Sequence, residues 1–478
     1  MVATDERARD RRLALVVVAL GATYGYDGAV MAGAQLFVTD RLGLSTTEQG
    51  TLHASTIVGL ILGTLVAARL ADAYGRRRTL VAAAAGFTLV ATLSPVVAHL
   101  VWLDSTRLLL GVGMGVILVV TPIFIAESAS AAARGRIGVL YQVATVAGVV
   151  SAFLVAYGLA ESRNWRLMLW GSAVLAAVVV AVLASVPETP RWRPAGATRR
   201  APAPAPVGAG APIDAGAPVG AGAPIDAGAP VGVLRELFGA RYRSVTLFVV
   251  ALGFFAQITG VSAVGSFSPR IVQRMGYEGY FAILVVPALI QVAGLLAALA
   301  SSFTVDRLGR RATLLVGTGI MAVGHALLVV TFAAGGTPVV GLVGLLCFSV
   351  GFNSGFGALI WVYAAEGYDD RLRTAGTTMM LLPNLLANFL LAQFFLTVLT
   401  ALGGTATFTL LAGVTVLAWI FVLRSAPETR GRSLDAIHAY WQGGRRWPEQ
   451  AGEPQPGRAG EPQPEPVVLA QPSGPPGP

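Results

Sequence analysis

The segment RLLLGVGMGVILVVTPIFIAE, from Arg107 to Glu127, decides the fold. It is apolar over about 20 residues, the length that crosses the hydrocarbon of a bilayer as a helix. Yet it opens on an arginine, carries Gly111, Gly113 and Gly115 at alternate positions, and closes with Pro122 and Glu127. Glycine removes side-chain bulk and lets a neighbouring helix approach, so the segment predicts close packing in a bundle. A charge inside hydrocarbon needs a partner. Arg107 could instead snorkel to a surface, but Gly25-Tyr26-Asp27-Gly28 places an aspartate deep in the first apolar run. Asp27 lies 15 residues beyond Arg12, ~22 Å along a helix, and Arg107 lies ~30 Å from Glu127 on a helix running the other way. The two depths predict a pair across spans one and four.

Composition agrees with a membrane protein. Hydrophobic residues make up 55% of 478 and charged residues 12%, about half the charge of a soluble domain. The single cysteine, Cys347, excludes an intramolecular disulfide. Four histidines show no metal-ligand spacing, so neither metal nor cofactor is expected. A formal charge of +9 would suggest nucleic acid in a soluble protein. Here membrane topology accounts for it, and no nucleic-acid partner is expected.

Twelve apolar runs follow one another. Residues 1–12 are a charged N-terminus with no signal-peptide core or cleavage site. The first six runs cover about 13–38, a run ending near 70, 79–99, 100–126, 138–159 and 167–186. The outer end of the second holds His53, to which no role is assigned. Residues 187–243 form a linker whose core, APVGAGAPIDAG, repeats without change over 205–216 and 217–228. Such sequence cannot bury a core and predicts an extended tether. A short amphipathic helix is expected over 233–242. The second bundle, 244–424, has runs near 244–267, 281–303, 339–365 and 377–399, with the ninth and twelfth between and after them. Residues 425–478 read as a largely disordered tail rich in Pro, Gly and Glu.

The halves repeat. Asp72 and Asp306 are 234 residues apart, Glu127 and Glu366 are 239 apart, as are Arg134 and Arg373, and Pro187 and Pro427 are 240 apart. One period for four marks predicts an all-α membrane protein of twelve transmembrane helices in two six-helix halves of the same orientation. Of 34 arginines, 28 fall on the face of Arg12, Arg76 and Arg134, and five fall opposite. The positive-inside rule makes that face, and both termini, cytoplasmic, in the plasma membrane.

These motifs identify a resemblance. Arg107-xxx-Gly111-x-Gly113-x-Gly115, Pro122…Glu127…Arg134-Gly135, Pro187-Glu188-Thr189-Pro190-Arg191 and Pro427-Glu428-Thr429-Arg430-Gly431-Arg432 resemble the sugar porter family of the major facilitator superfamily over about residues 13–434. The loop Asp306-Arg307-Leu308-Gly309-Arg310-Arg311 is general to the superfamily. Its first copy, around Asp72 and Arg76, is degenerate. The resemblance implies a sugar-contacting set of Gln142, Gln257, Trp361, Asn384 and Asn388, and gives Asp27 with Arg107 a role in proton coupling. It also marks Asp72, Arg76, Glu127, Arg134, Asp306, Arg310, Glu366 and Arg373 as a cytoplasmic gate. Amide groups and an apolar ring face are what a sugar requires. As interhelical polar contacts, the same residues would contribute about 1 kcal/mol each. Departures include Ala256, Ser262 and Gly294 where the family has polar amides. They point away from a plain hexose and toward a deoxy-sugar, a polyol or a less polar metabolite.

The implied activity is secondary active transport of a small sugar-like molecule with protons, by a monomer in the lipid bilayer. The rivals are an antiporter exporting a drug or secondary metabolite, a facilitative uniporter, and a sensor. An enzyme would need a clustered acid, base or nucleophile, and the sequence offers none. If the linker is only a tether, deleting one 12-residue repeat leaves transport unchanged at equal membrane expression. Loss of transport in that deletion would show a specific role for the repeat.

Overall fold

The computed structural model describes residues 2–130, 133–188, 230–335, 337–369 and 371–447. The repeats of the linker, the tail beyond Trp447, and the side chain of Arg134 lie outside the described residues. The first half contains α1 (Val2–Leu42), α2 (Thr46–Tyr74), α3 (Arg76–Leu93), α4 (Leu100–Ser128), α5 (Arg134–Gly158) and α6 (Trp165–Ala184). After α7 (Pro230–Leu237), the second half contains α8 (Arg243–Ile258), α9 (Val261–Arg274), α10 (Val286–Leu308), α11 (Arg310–Ala333), α12 (Pro338–Ser354), α13 (Phe356–Glu366) and α14 (Arg373–Ser425). A further helix, α15 (Leu434–Gln442), follows.

Ten helices among the described residues are long and apolar enough to cross a membrane, α8 with α9 and α12 with α13 each counting as one. The arginine-headed α3 adds a crossing. The stretch Ala375–Ser425 crosses twice, because Gly403 at φ 78° reverses it. The architecture is that of a twelve-helix bundle in two six-helix halves.

Several elements differ from the sequence reading. The seventh span is not one helix: Gly260, at φ 113°, breaks it into α8 and α9. The tenth breaks at Gly355 into α12 and α13. A Cβ at Gly351 would lie 2.6 Å from the Gly317 carbonyl, so the packing against α11 leaves no room for side chains there. The eighth begins with a π turn, Phe281–Val285. The helix expected over 233–242 stops at Leu237. Residues after α14 also fold: Ser433 caps α15, and Trp441 is buried with its ring 5.1 Å from that of Phe248.

Glycine contacts set the helix spacing of the first half. A Cβ on Gly111 would sit 2.0 Å from the carbonyl of Thr56, and one on Gly25 would sit 1.8 Å from that of Thr145. The backbones of α4 and α2, and of α1 and α5, are therefore in direct contact. Dispersion between closely approaching backbones holds helices together where no hydrophobic force separates protein from lipid.

The repeated motifs form one device, built twice. Gly75 and Gly309, at φ 97° and 93°, turn the chain from α2 into α3 and from α10 into α11. Each new helix exposes unpaired N–H groups, and a carboxylate from the end of the same half receives them. Glu188 accepts from Arg77 N (2.8 Å) and Arg78 N (3.2 Å). Glu428 accepts from Arg310 N (2.9 Å) and Arg311 N (3.1 Å). In return Arg77 Nε donates to the Leu183 carbonyl at the end of α6, and Arg311 Nη2 to Leu423 near the end of α14. Negative charge meets a helix N-terminus and positive charge a C-terminus, both favourable to the helix dipoles. A Cβ at Gly309 would lie 2.3 Å from the Glu428 carboxylate, so the turn glycine also makes room for the cap.

Glu428→Ala should cost about 1–3 kcal/mol, read as a lower Tm in detergent, and Glu188→Ala should behave alike. Glu428→Gln, which keeps an acceptor, should lose less. Unchanged Tm in both alanine variants would contradict this account of the motif.

Candidate central cavity

Asp27 and Arg107 meet in the centre of the first half. Arg107 Nη1 lies 3.4 Å from Asp27 Oδ1, with side chains 3% and 0% exposed. The distance is long for a charge-assisted hydrogen bond, which is normally about 2.7–2.9 Å. Ser172 of α6 donates to the same carboxylate oxygen at 2.9 Å. Asp27 Oδ2 and Arg107 Nε are buried without a hydrogen-bond partner among the described residues. The pair is a single stretched contact rather than a bidentate fork.

It forms part of the wall of a cavity of about 270 Å³. Lining residues from the first half include Tyr24, Gly28, His53, Thr56 and Met114, and from the second half Ser262, Ser266, Gln291 and Asn388. The site lies between the halves, with amides and hydroxyls set among apolar side chains. That mixture suits a small neutral polar ligand.

Of the five residues implied as sugar contacts, Asn388 alone lines this cavity. Asn384 is buried and donates to the Gly253 carbonyl at 3.1 Å, tying α14 to α8. Gln257 accepts from Ser262 across the break in the seventh span, at 3.3 Å. Gln142 and Trp361 are half-buried. At Gly294 a Cβ would lie 2.6 Å from Asn353 Nδ2, so an amide of α12 fills the space that a side chain on α10 would need.

His53, to which the sequence reading assigned no role, lies near the outer end of α2, as its position in the sequence implies, and is a buried wall residue of the cavity. Gln291 and Ser172 were not singled out either. For His53 the available signal was Gln49, four residues earlier on the same helix face.

The gate residues cluster on the face where α1 begins. Arg76 contacts Asp72 at 3.1 Å and Glu127 at 3.2 Å. Arg310 contacts Asp306 at 3.2 Å and Glu366 at 3.8 Å. Thr429 donates to Glu366 at 2.7 Å, and Arg373 Nε donates to the Ala365 carbonyl at 3.0 Å. These ion pairs each join residues of one half.

On the opposite face the halves touch. The rings of Phe37 and Tyr280 are 5.9 Å apart, those of His53 and Phe267 4.7 Å, and those of Tyr157 and Phe281 6.0 Å. Gln393 of α14 donates to Thr51 of α2 at 3.2 Å.

Comparison with known proteins agrees with this architecture. The family model described as sugar (and other) transporter matches residues 13–441. The arabinose-proton symporter of Bacillus subtilis (strain 168) is 28% identical over 435 residues, covering 88% of this chain and 92% of the relative. Polyol transporter 5 of Arabidopsis thaliana is 29% identical over 461 residues, covering 90% and 85%. Among solved structures, the inward-open conformation of the xylose transporter XylE from E. coli superposes with a TM-score of 0.73 at 22% identity, covering 90% of this chain and 100% of that one. The chain therefore belongs to the sugar porter family of the major facilitator superfamily, a family of multi-pass membrane transporters.

Proposed function

We propose that the protein is a proton-coupled carrier of a sugar, polyol or related small polar metabolite, working by alternating access. It acts as a monomer in the plasma membrane with both termini cytoplasmic, and it is not an enzyme. The observation that carries this reading is the Asp27–Arg107 contact in the wall of a cavity lined by both halves. The arabinose-proton symporter among its relatives supports proton coupling, and the polyol transporter supports a polyhydroxylated cargo.

The physical logic is compensation of charge. A carboxylate in hydrocarbon is tolerable only with a counter-ion. While Arg107 stays close, Asp27 can remain charged. A movement that withdraws Arg107 leaves the carboxylate uncompensated, and taking up a proton relieves the cost. A contact already stretched to 3.4 Å, with Oδ2 open, needs little movement to change state. Substrate entering the same cavity is then linked to the proton through one set of walls.

The gate completes the cycle. With the halves joined on the face opposite the termini, the cavity belongs to an inward-facing state. Arg76 and Arg310 pair with acids of their own half in this state, and the acids pair across the halves, with Arg134 and Arg373 among their partners, when the carrier faces outward. Such a two-state contact is what alternating access requires.

Asp27→Asn keeps the shape and removes the titratable group. It should abolish uphill accumulation of a transported sugar driven by an imposed pH gradient, while retaining measurable counterflow at equal concentrations. Accumulation surviving in Asp27→Asn would exclude Asp27 as the coupling site. Glu366→Ala should increase modification, from the cytoplasmic side, of a cysteine placed in the cavity wall. Unchanged accessibility with full transport would remove the gate from the account.

A further inference from the structure

A directional hydrogen-bond chain ends at the cavity. Gln49 Nε2 donates to the backbone carbonyl of Leu44 at 3.1 Å. A carbonyl can only accept, so Gln49 turns its Oε1 toward Gln35. Gln35 Nε2 donates to Gln49 Oε1 (3.3 Å) and to the Gln49 carbonyl (3.4 Å). That fixes the Gln35 amide with its Oε1 toward His53, whose Nε2 lies 2.6 Å away. An amide oxygen has no proton to give, so the proton in this contact belongs to His53 Nε2. In the neutral imidazole the other nitrogen, Nδ1, is then an acceptor. Gln35, Gln49 and His53 are all buried, at 1%, 6% and 7% exposure. A buried relay anchored on a backbone carbonyl therefore sets the tautomer of a ring in the cavity wall.

We propose that His53 is a substrate-binding and specificity-determining residue whose Nδ1 accepts a hydrogen bond from a hydroxyl of the cargo, a neutral polyhydroxylated molecule. This rests on the carrier reading above. The composition of the wall favours the assignment. Arg107 is a donor only, and the Asp27 oxygen nearest to it is already engaged by Arg107 and Ser172. Ser262 and Ser266 of α9 bring only hydroxyls to the wall, which donate as readily as they accept, so the α9 side offers no fixed acceptor. An oriented imidazole on α2 supplies one from the opposite half. The same ring lies edge-on to Phe267 of α9, 4.7 Å between centroids, so a ligand held by His53 also lies against the contact that joins the halves.

The test uses the full chain, purified and reconstituted, with D-xylose, L-arabinose, D-glucose and D-sorbitol as probes, together with mono-deoxy derivatives of whichever one binds. His53→Phe keeps an aromatic ring against Phe267 and removes the nitrogen. It should weaken binding of the preferred probe about tenfold, the scale of one hydrogen bond. It should leave unchanged the affinity for the derivative lacking the contacted hydroxyl. A ring that only packs would not remove that discrimination. Gln35→Leu, which retains His53 but frees its tautomer, should cause a smaller loss of the same kind, and it keeps the test alive if His53→Phe fails to fold. Unchanged affinity and discrimination in these variants would overturn the proposal and leave the carrier reading standing. If the wild-type chain binds none of the probes, the assignment of a polyhydroxylated cargo to His53 is overturned. Nitrogen-15 NMR of histidine-labelled protein gives an answer without any cargo: His53 found protonated at Nδ1 rather than Nε2 would overturn the proposal.

Discussion

A carboxylate and a guanidinium buried within the first half, 3.4 Å apart, constrain everything around them. Removing one partner of such a pair leaves an uncompensated charge, a penalty of about 3–5 kcal/mol in buried sites. The helices that carry the pair must therefore hold a fixed separation. Glycine supplies it. Gly25 lets α1 lie on the Thr145 carbonyl of α5, and Gly111 lets α4 lie on the Thr56 carbonyl of α2. Ser172 of α6 completes the shell. Among the described residues, Asp27 Oδ2 and Arg107 Nε are left without partners. Rigid surroundings around an incompletely satisfied ion pair favour two discrete arrangements over gradual adjustment.

The two halves share a scaffold and divide the work. Both use a turn glycine, a carboxylate cap and a returning arginine on the face where α1 begins, and both set an arginine between two acids there. Their central regions differ. The first half holds the buried ion pair and unbroken helices. The second half breaks its seventh and tenth spans at Gly260 and Gly355. The piece beyond the first break, α9, carries Ser262 and Ser266 into the cavity and Phe267 against His53. The central charge pair resides in one half and the broken helices in the other, with the cavity between them.

Much of this was legible in the sequence, for physical reasons. Apolar runs bounded by arginine clusters dictate the number of crossings, and a repeat period near 239 residues dictates the two halves. The meeting of Asp27 with Arg107 followed from depth along two helices. What escaped the sequence depends on direction rather than depth. The helix break at Gly260 is a backbone choice that an apolar run does not announce. The role of Glu188 and Glu428 needs two segments over 100 residues apart to close on each other. His53 does sit near the outer end of α2, but its place along the helix does not tell what its ring meets. Only the side-chain chain through Gln35 and Gln49 shows where its ring is aimed. Gln142 and Trp361, identified by motif, are half-buried away from the lining described for the cavity, because a linear motif specifies a register and not a conformational state.

The central claim is that proton and cargo share one cavity through the Asp27–Arg107 contact. It is tested most directly by following protons while the cargo alone provides the driving force. Proteoliposomes containing a pH-sensitive dye are given an inward gradient of a transported sugar, with no initial pH gradient and the membrane potential clamped. The account predicts acidification of the lumen in step with sugar entry. Sugar entering at a normal rate with no movement of protons would contradict it.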